Sequence, residues 1–238
     1  KFTAMRFGIL AALLIAATVT STNTSAQETR NFDAKGFDGI RNSTSAEVQI
    51  SQSPNYGIEV TAKKEVFNEL EIVVKENVLH IKSKDNLRFT SNWGKVLVKV
   101  SCPDIKLLAQ NGSGNMIALT PIKVADEFTA SINGSGDILL KEIQANSVQV
   151  SINGSGNIKT SSQGKTNTLK ATSNGSGNID LETLTSEIAQ LKLNGSGDAT
   201  VRCNKEFKGS INGSGSITLY GNPLIDAKVN GSGRLVRK

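Results

Sequence analysis

This sequence of 238 residues is poor in the side chains from which most active sites are made: it holds one His, two Cys and one Trp, and aromatics are only 5%. With a single imidazole and two thiols far apart in the chain, neither a zinc cluster nor a Cys/His nucleophile can be assembled from the usual groups. Proline is scarce, 4 residues against 22 glycines, and the glycines follow no Gly-X-Y period, which excludes collagen and argues against a disordered tail. A surplus of one charge is missing as well. Lys and Arg number 27 against 21 acids, and without Lys1 and Arg6, which fall in an N-terminal signal, the balance is 25 − 21 = +4. The excess is evenly spread, 12 basic against 11 acidic residues over 27–107 and 13 against 10 over 108–238. No basic stripe is left to displace counterions from a phosphate backbone, so nucleic acid is not an expected partner.

Long hydrophobic runs are equally few. The one unbroken run, Phe7 to Ala17, is about 11 residues, too short to span a bilayer. Lys1 and Arg6 precede it and the small residues Thr24, Ser25 and Ala26 follow, so residues 1–26 read as a secretory signal cleaved after Ala26. No Cys near that point offers a lipid anchor, and no later segment reaches membrane-spanning length. The expectation is an exported product, periplasmic, on the outer surface or extracellular, with no membrane span.

What is abundant is one tetrapeptide. Asn-Gly-Ser-Gly begins at Asn111, Asn133, Asn153, Asn174, Asn194, Asn212 and Asn230, at intervals of 22, 20, 21, 20, 18 and 18 residues, and holds 14 of the 22 glycines. A repeat of about 20 residues predicts a solenoid. Aligned on the Asn, apolar residues fall at odd offsets: Ile132, Ile152, Leu193 and Ile211 one before, Phe128, Val148, Leu169 and Phe207 five before, Met116, Ile138, Ile158 and Ile179 five after. Alternation with period two therefore passes straight through each tetrapeptide, as in a half-buried strand. Both glycines then fall on the inward side, while the Asn, the Ser and the polar residue after the second Gly face outward. Inward glycines need either positive φ or a neighbour too close for any Cβ, and the sequence leaves both open. Identical Asn side chains on stacked rungs can hydrogen-bond in ladders. The competing fold is an antiparallel meander in which each Asn-Gly is a hairpin turn. A calcium-binding nonapeptide array fails on period, about 20 against 9.

Residues 27–107 lack the tetrapeptide but still read as strands, for example Val48 to Ile50, Ile58 to Thr61, Val78 to Ile81 and Val96 to Val100. They are expected to form irregular coils capping the stack, giving a signal at 1–26, a cap at 27–107 and a repeat solenoid at 108–238 that make one continuous domain. Lys63 to Glu71 is the one stretch with short-helix character. The 84–95 loop holds Phe89 and Trp93 and is either a contact site or a flap that tucks Trp93 onto the core. His80, between Leu79 and Ile81, alternates outward. Cys102 and Cys203 lie four to five rungs apart, about 20 Å at about 4.8 Å per rung, too far for a disulfide.

The lead-in Phe37-Asp38-Gly39-Ile40, then Val96 to Pro103 and Leu107-Leu108, running into Asn-Gly-Ser-Gly and repeated Ser-Ile-Asn-Gly-Ser-Gly, resembles the auto-transporter adhesin head domain, or GIN domain, of exported Bacteroidetes proteins. The resemblance covers roughly residues 32–238. It implies an all-β fold, a β-solenoid of the right-handed parallel β-helix kind, and an adhesin-like role; it brings no catalytic residues. An auto-transporter also carries a C-terminal membrane barrel, and the sequence stops at Lys238, eight residues after Asn230, so export by the signal and not by a barrel is expected.

The functional expectation is a non-enzymatic surface or periplasmic binding module, needing no cofactor and no metal, because the outward tier lacks the repeated carboxylates that hard cations require. The alternative is a carbohydrate-active β-helix protein that binds or cleaves polysaccharide. The candidate binding residues are the outward strip Asn133, Ser135 and Asp137, Asn153, Ser155 and Asn157, Asn174, Ser176 and Asn178, and Asn194, Ser196 and Asp198, with Phe89 and Trp93 as a second candidate. At about 4.8 Å per rung, seven tiers span about 29 Å, a length suited to an extended or repetitive ligand such as a glycan or matrix protein. The strip has an equally direct structural reading, in which the ladders only hold the rungs together. Oligomeric state is left open.

Overall fold

The computed structural model describes residues 27–84 and 93–238. Residues 1–26, where a signal is expected, and Phe89 lie outside the described residues.

Each repeat closes one coil of a β-solenoid. A long strand leads into the tetrapeptide, which turns a corner into a second, shorter strand; Glu127–Ile132 and Ile138–Leu140 form one such coil. Successive coils pair in parallel with residue-for-residue register, Ile132 on Ile152 and Ile138 on Ile158, and the same register carries Asn174 to Asn194 to Asn212 to Asn230. The hairpin meander is thereby excluded for the repeats. Inward residues stack into continuous columns: Phe128, Ile132, Ile152, Leu169 and Ile217 are at most 1% exposed, and each such side chain contributes about 1.5–3 kcal/mol of burial. Within a coil, volumes at the two central inward positions compensate. Phe128 is followed by Ala130, Leu169 by Ala171 and Phe207 by Gly209, whose absent Cβ would lie 2.7 Å from the Phe207 ring. Large beside small keeps the cross-section constant along the stack.

A third, short wall explains the drifting interval. Segments 122–123, 143–145, 164–166 and 184–186 stack on one another in the coils spaced by 20 to 22 residues. Between strands Ile179–Gly195 and Ala199–Gly213 the register slips: Leu181 pairs with Val201, but Thr185 already pairs with Arg202. The third wall merges into the second there, and the interval falls to 18 residues.

At the N-terminal end, chain order and stacking order part company. Strand Gly39–Asn42 lies directly on Leu107–Gln110, and Glu47–Gln52 on Met116–Ala118. Strands Val78–Ser83 and Leu97–Cys102 then stack on the far side of those two, so the chain lays a coil outside its first one before crossing back to start the repeats. Antiparallel strands close this end: Leu70–Lys75 on Val78–Ser83, and Gly57–Lys63 on Leu97–Cys102 with Gln27–Asn31 beyond it. The short helix Val66–Glu69 sits in this cap. Trp93 is 5% exposed, with its indole N–H donating to Glu69 at 2.7 Å, and Arg30 lies over the Phe67 ring at 4.1 Å. Both cysteines are free and buried, as their separation along the stack requires.

Candidate functional site

The tetrapeptide corner is built by contact between coils. Backbone of one coil passes so close to the next that a Cβ on Gly136 would sit 1.8 Å from the Gly114 carbonyl oxygen, and one on Gly134 2.3 Å from that of Gly112. The same overlap recurs down both glycine columns, so close approach requires glycine in every copy, and Gly195, Gly213 and Gly231 take positive φ as well, so both reasons act at the first glycine of the later corners. That approach brings the outward side chains into register. Each Asn amide donates to the Oδ1 of the Asn one coil earlier: Asn133 to Asn111 at 3.2 Å, Asn153 to Asn133 at 3.0 Å, Asn174 to Asn153 at 2.7 Å, Asn194 to Asn174 at 2.7 Å. A second ladder runs beside it, in which the backbone N–H after the second Gly donates to the preceding coil's side chain: Asp137 to Asn115, Asn157 to Asp137, Asn178 to Asn157, Asp198 to Asn178. These bonds satisfy amides that the corner geometry withdraws from the regular sheet. Ser135, Ser155, Ser176 and Ser196 stand exposed between the two ladders. The twelve candidates of the strip thus share one face, and their Asn side chains spend a donor and an acceptor on one another.

The second candidate region is less accessible where it is described, because Trp93 is tucked into the cap. His80 faces Arg41 across one strand pair and Val73 across the other, and is half-buried. Among the described residues no group of three His, Cys, Asp or Glu side chains is placed to hold a metal.

Two features of the structure were not anticipated from the sequence. The first is an eighth corner, Ser43-Thr44-Ser45-Ala46, on which the first tetrapeptide stacks: the Gly112 and Gly114 positions abut the Thr44 and Ala46 carbonyls. A buried network stands in for the ladder: Asn42 donates to the Ala46 carbonyl and accepts from the Thr44 hydroxyl and amide. The signal for it was the unbroken inward alternation Ile40, Asn42, Thr44, Ala46, Val48, Ile50, disguised by two polar members. The second is a pair of adjoining hollows, of about 610 and 760 Å³, along the third wall; both are lined by Gln144, Lys165 and Thr185, with Lys123 and Glu187 at one end and Glu182 and Arg202 at the other. Asn204 and Lys205 beside Glu187 hold its carboxyl below the usual carboxylate range.

A family model described as "Putative auto-transporter adhesin, head GIN domain" matches residues 36–223. The chain belongs to the GIN-domain family. Solved structures share its fold. A putative adhesin from Bacteroides fragilis NCTC 9343 superposes with a TM-score of 0.84 at 20% identity, over 90% of this chain and 98% of that one. A putative lipid binding protein from Parabacteroides distasonis ATCC 8503 gives 0.72 at 24% identity, over 90% and 98%. A putative adhesin from Parabacteroides merdae ATCC 43184 gives 0.69 at 22%, over 90% and 97%. No curated protein matches. In this GIN domain the match begins just before the Gly39–Asn42 coil and ends at Pro223, so it takes in the cap apart from strand Gln27–Asn31, the eighth corner and the hollows of the third wall. No helix among the described residues is long and apolar enough to cross a membrane.

Proposed function

We propose that this GIN domain is an exported, non-enzymatic adhesin-like module that holds an extended polar ligand along its tetrapeptide strip. The observation that carries the reading is the pair of cross-coil ladders, which set Ser135, Ser155, Ser176 and Ser196 at a constant step on a rigid face. A ligand that repeats, such as a glycan or a matrix-protein fibre, meets the same hydroxyl and amide groups at every coil without ordering a flexible site. The test is a glycan and matrix-protein array probed with the chain from Gln27 onward, then repeated with Ser155→Lys combined with Ser176→Lys. These exposed changes leave the glycines alone, so the variant folds and loses its ligand. Unchanged binding by the folded double variant removes the strip from the reading.

The hollows of the third wall favour a second reading, a polysaccharide-binding groove. Gln144, Lys165 and Thr185 offer donors and acceptors across three consecutive coils. The lining holds no aromatic ring for sugar stacking, and Glu187, kept ionised, is a poor proton donor. Lys165→Glu separates the readings, since it abolishes array binding only if the groove is the site.

A further inference from the structure

We infer that the last described coil is a self-complementary edge, at which two copies of this chain join by antiparallel pairing of strand Leu224–Asn230 with its counterpart.

The two ends of the stack differ. At the N-terminal end antiparallel strands cover the outermost coil. At the other, Leu224–Asn230 pairs only with 206–212 and Arg234–Arg237 only with 216–219 among the described residues. Columns that are closed elsewhere open here: Ile225 is 40% and Val229 42% exposed, against 1% for Phe207 and for Ile211 one coil earlier. An exposed, regular, partly apolar edge is a template for another strand.

The partner's identity follows from the polarity and charge of that edge. Thr129 donates its N–H to Lys106 of the preceding coil and Asn133 donates to Gln110. The parallel register carries those two columns to Asp226 and Asn230. Backbone groups alternate sides along a parallel strand. Asp226 and Lys228 therefore turn back to the stack, and Ile225, Ala227 and Val229 present N–H and C=O to the open edge. A two-fold axis through Ala227 makes each of these meet a residue that also faces the edge: Ala227 meets Ala227 of the second copy, and Ile225 meets Val229. Those are the hydrogen-bonded positions of an antiparallel pair, and their side chains come together on the inward side. Between them Asp226 lies opposite Lys228, twice by symmetry, on the solvent side. Sliding the second copy by two residues either way sets Lys228 against Lys228 or Asp226 against Asp226, so charge selects the central register. The contact is isologous and closes as a dimer.

The test is the mass in solution of the chain Gln27 to Lys238, which carries the whole described fold, by sedimentation from about 1 to 100 μM. The expected result is a dimer. Asp226→Lys sets like charges across both pairs and weakens association roughly tenfold or more. Asp226→Lys with Lys228→Asp exchanges the charges and restores it. Ala227→Pro removes a donor that faces only the open edge and leaves a monomer. These positions are exposed, and circular dichroism with an unchanged melting temperature verifies folding. A wild-type monomer at 100 μM overturns the inference. So does a dimer indifferent to Asp226→Lys or not rescued by the exchange.

Discussion

A Cβ on Gly136 would lie 1.8 Å from the carbonyl oxygen of Gly114, a residue one coil earlier in the stack. The obstacle is backbone, so no rotamer change relieves it. Gly136→Ala is expected to cost beyond about 4 kcal/mol or to prevent folding, since two coils must separate to admit one methyl group. Ser135→Ala, one residue away and exposed, is expected to be near neutral. Urea melts of the two variants decide the matter, and equal midpoints would mean that the coils part easily.

Gln110 is fully buried, and neither atom of its side-chain amide has a hydrogen-bond partner among the described residues. Its column neighbours on the following coils are Ile132 and Ile152. Gln110→Met keeps the shape and removes the unsatisfied amide, and is expected to stabilise by about 1–2 kcal/mol, raising the melting temperature by a few degrees. A lower melting temperature would show that the amide is satisfied in solution.

Burial, with Asp104 and Asp38 adding to it, pushes the Cys102 thiol up to about 12. The thiolate is the reactive form, so at pH 8 the folded protein is expected to resist alkylation at Cys102. Two groups should titrate after denaturation without reductant, because both cysteines are free. Fewer than two in a monomer would contradict the parallel stacking that keeps them apart.

His80 is held below its usual range, first by burial and then by Arg41 and Lys82. A depressed histidine favours the neutral form in the folded state. Its contribution to stability is therefore complete above the unfolded value of about 6.5 and is lost as pH falls through the lower folded value. Titration by NMR should give a midpoint under 6.5, and His80→Gln should flatten the loss of stability just below that pH. A midpoint above 6.5 would reverse the sign.

The repeated coils were legible because a solenoid is nearly one-dimensional: each coil touches only its neighbours, so a local pattern of inward and outward residues repeats with the fold. The spacing of Asn111 to Asn230 and the odd offsets of Ile132 or Phe128 pointed to stacked strands with an outward Asn and Ser column and two cysteines kept apart, and the register of Ile132 on Ile152 then excluded the hairpin meander that the same pattern allowed. The sequence left open why the tetrapeptide is glycine-rich, because close approach and positive φ demand the same residue; the structure shows close approach alone at Gly136, against the Gly114 carbonyl, and both together at Gly195 and Gly213. It was silent where contacts are long-range. Strand Gly39–Asn42 lies between Leu107–Gln110 and Val78–Ser83, an order that no local pattern encodes. The burial of Trp93 depends on Glu69, 24 residues away. The edge at Ala227 is open among the described residues, and its charge pattern has meaning only once the alternating direction of the backbone is known.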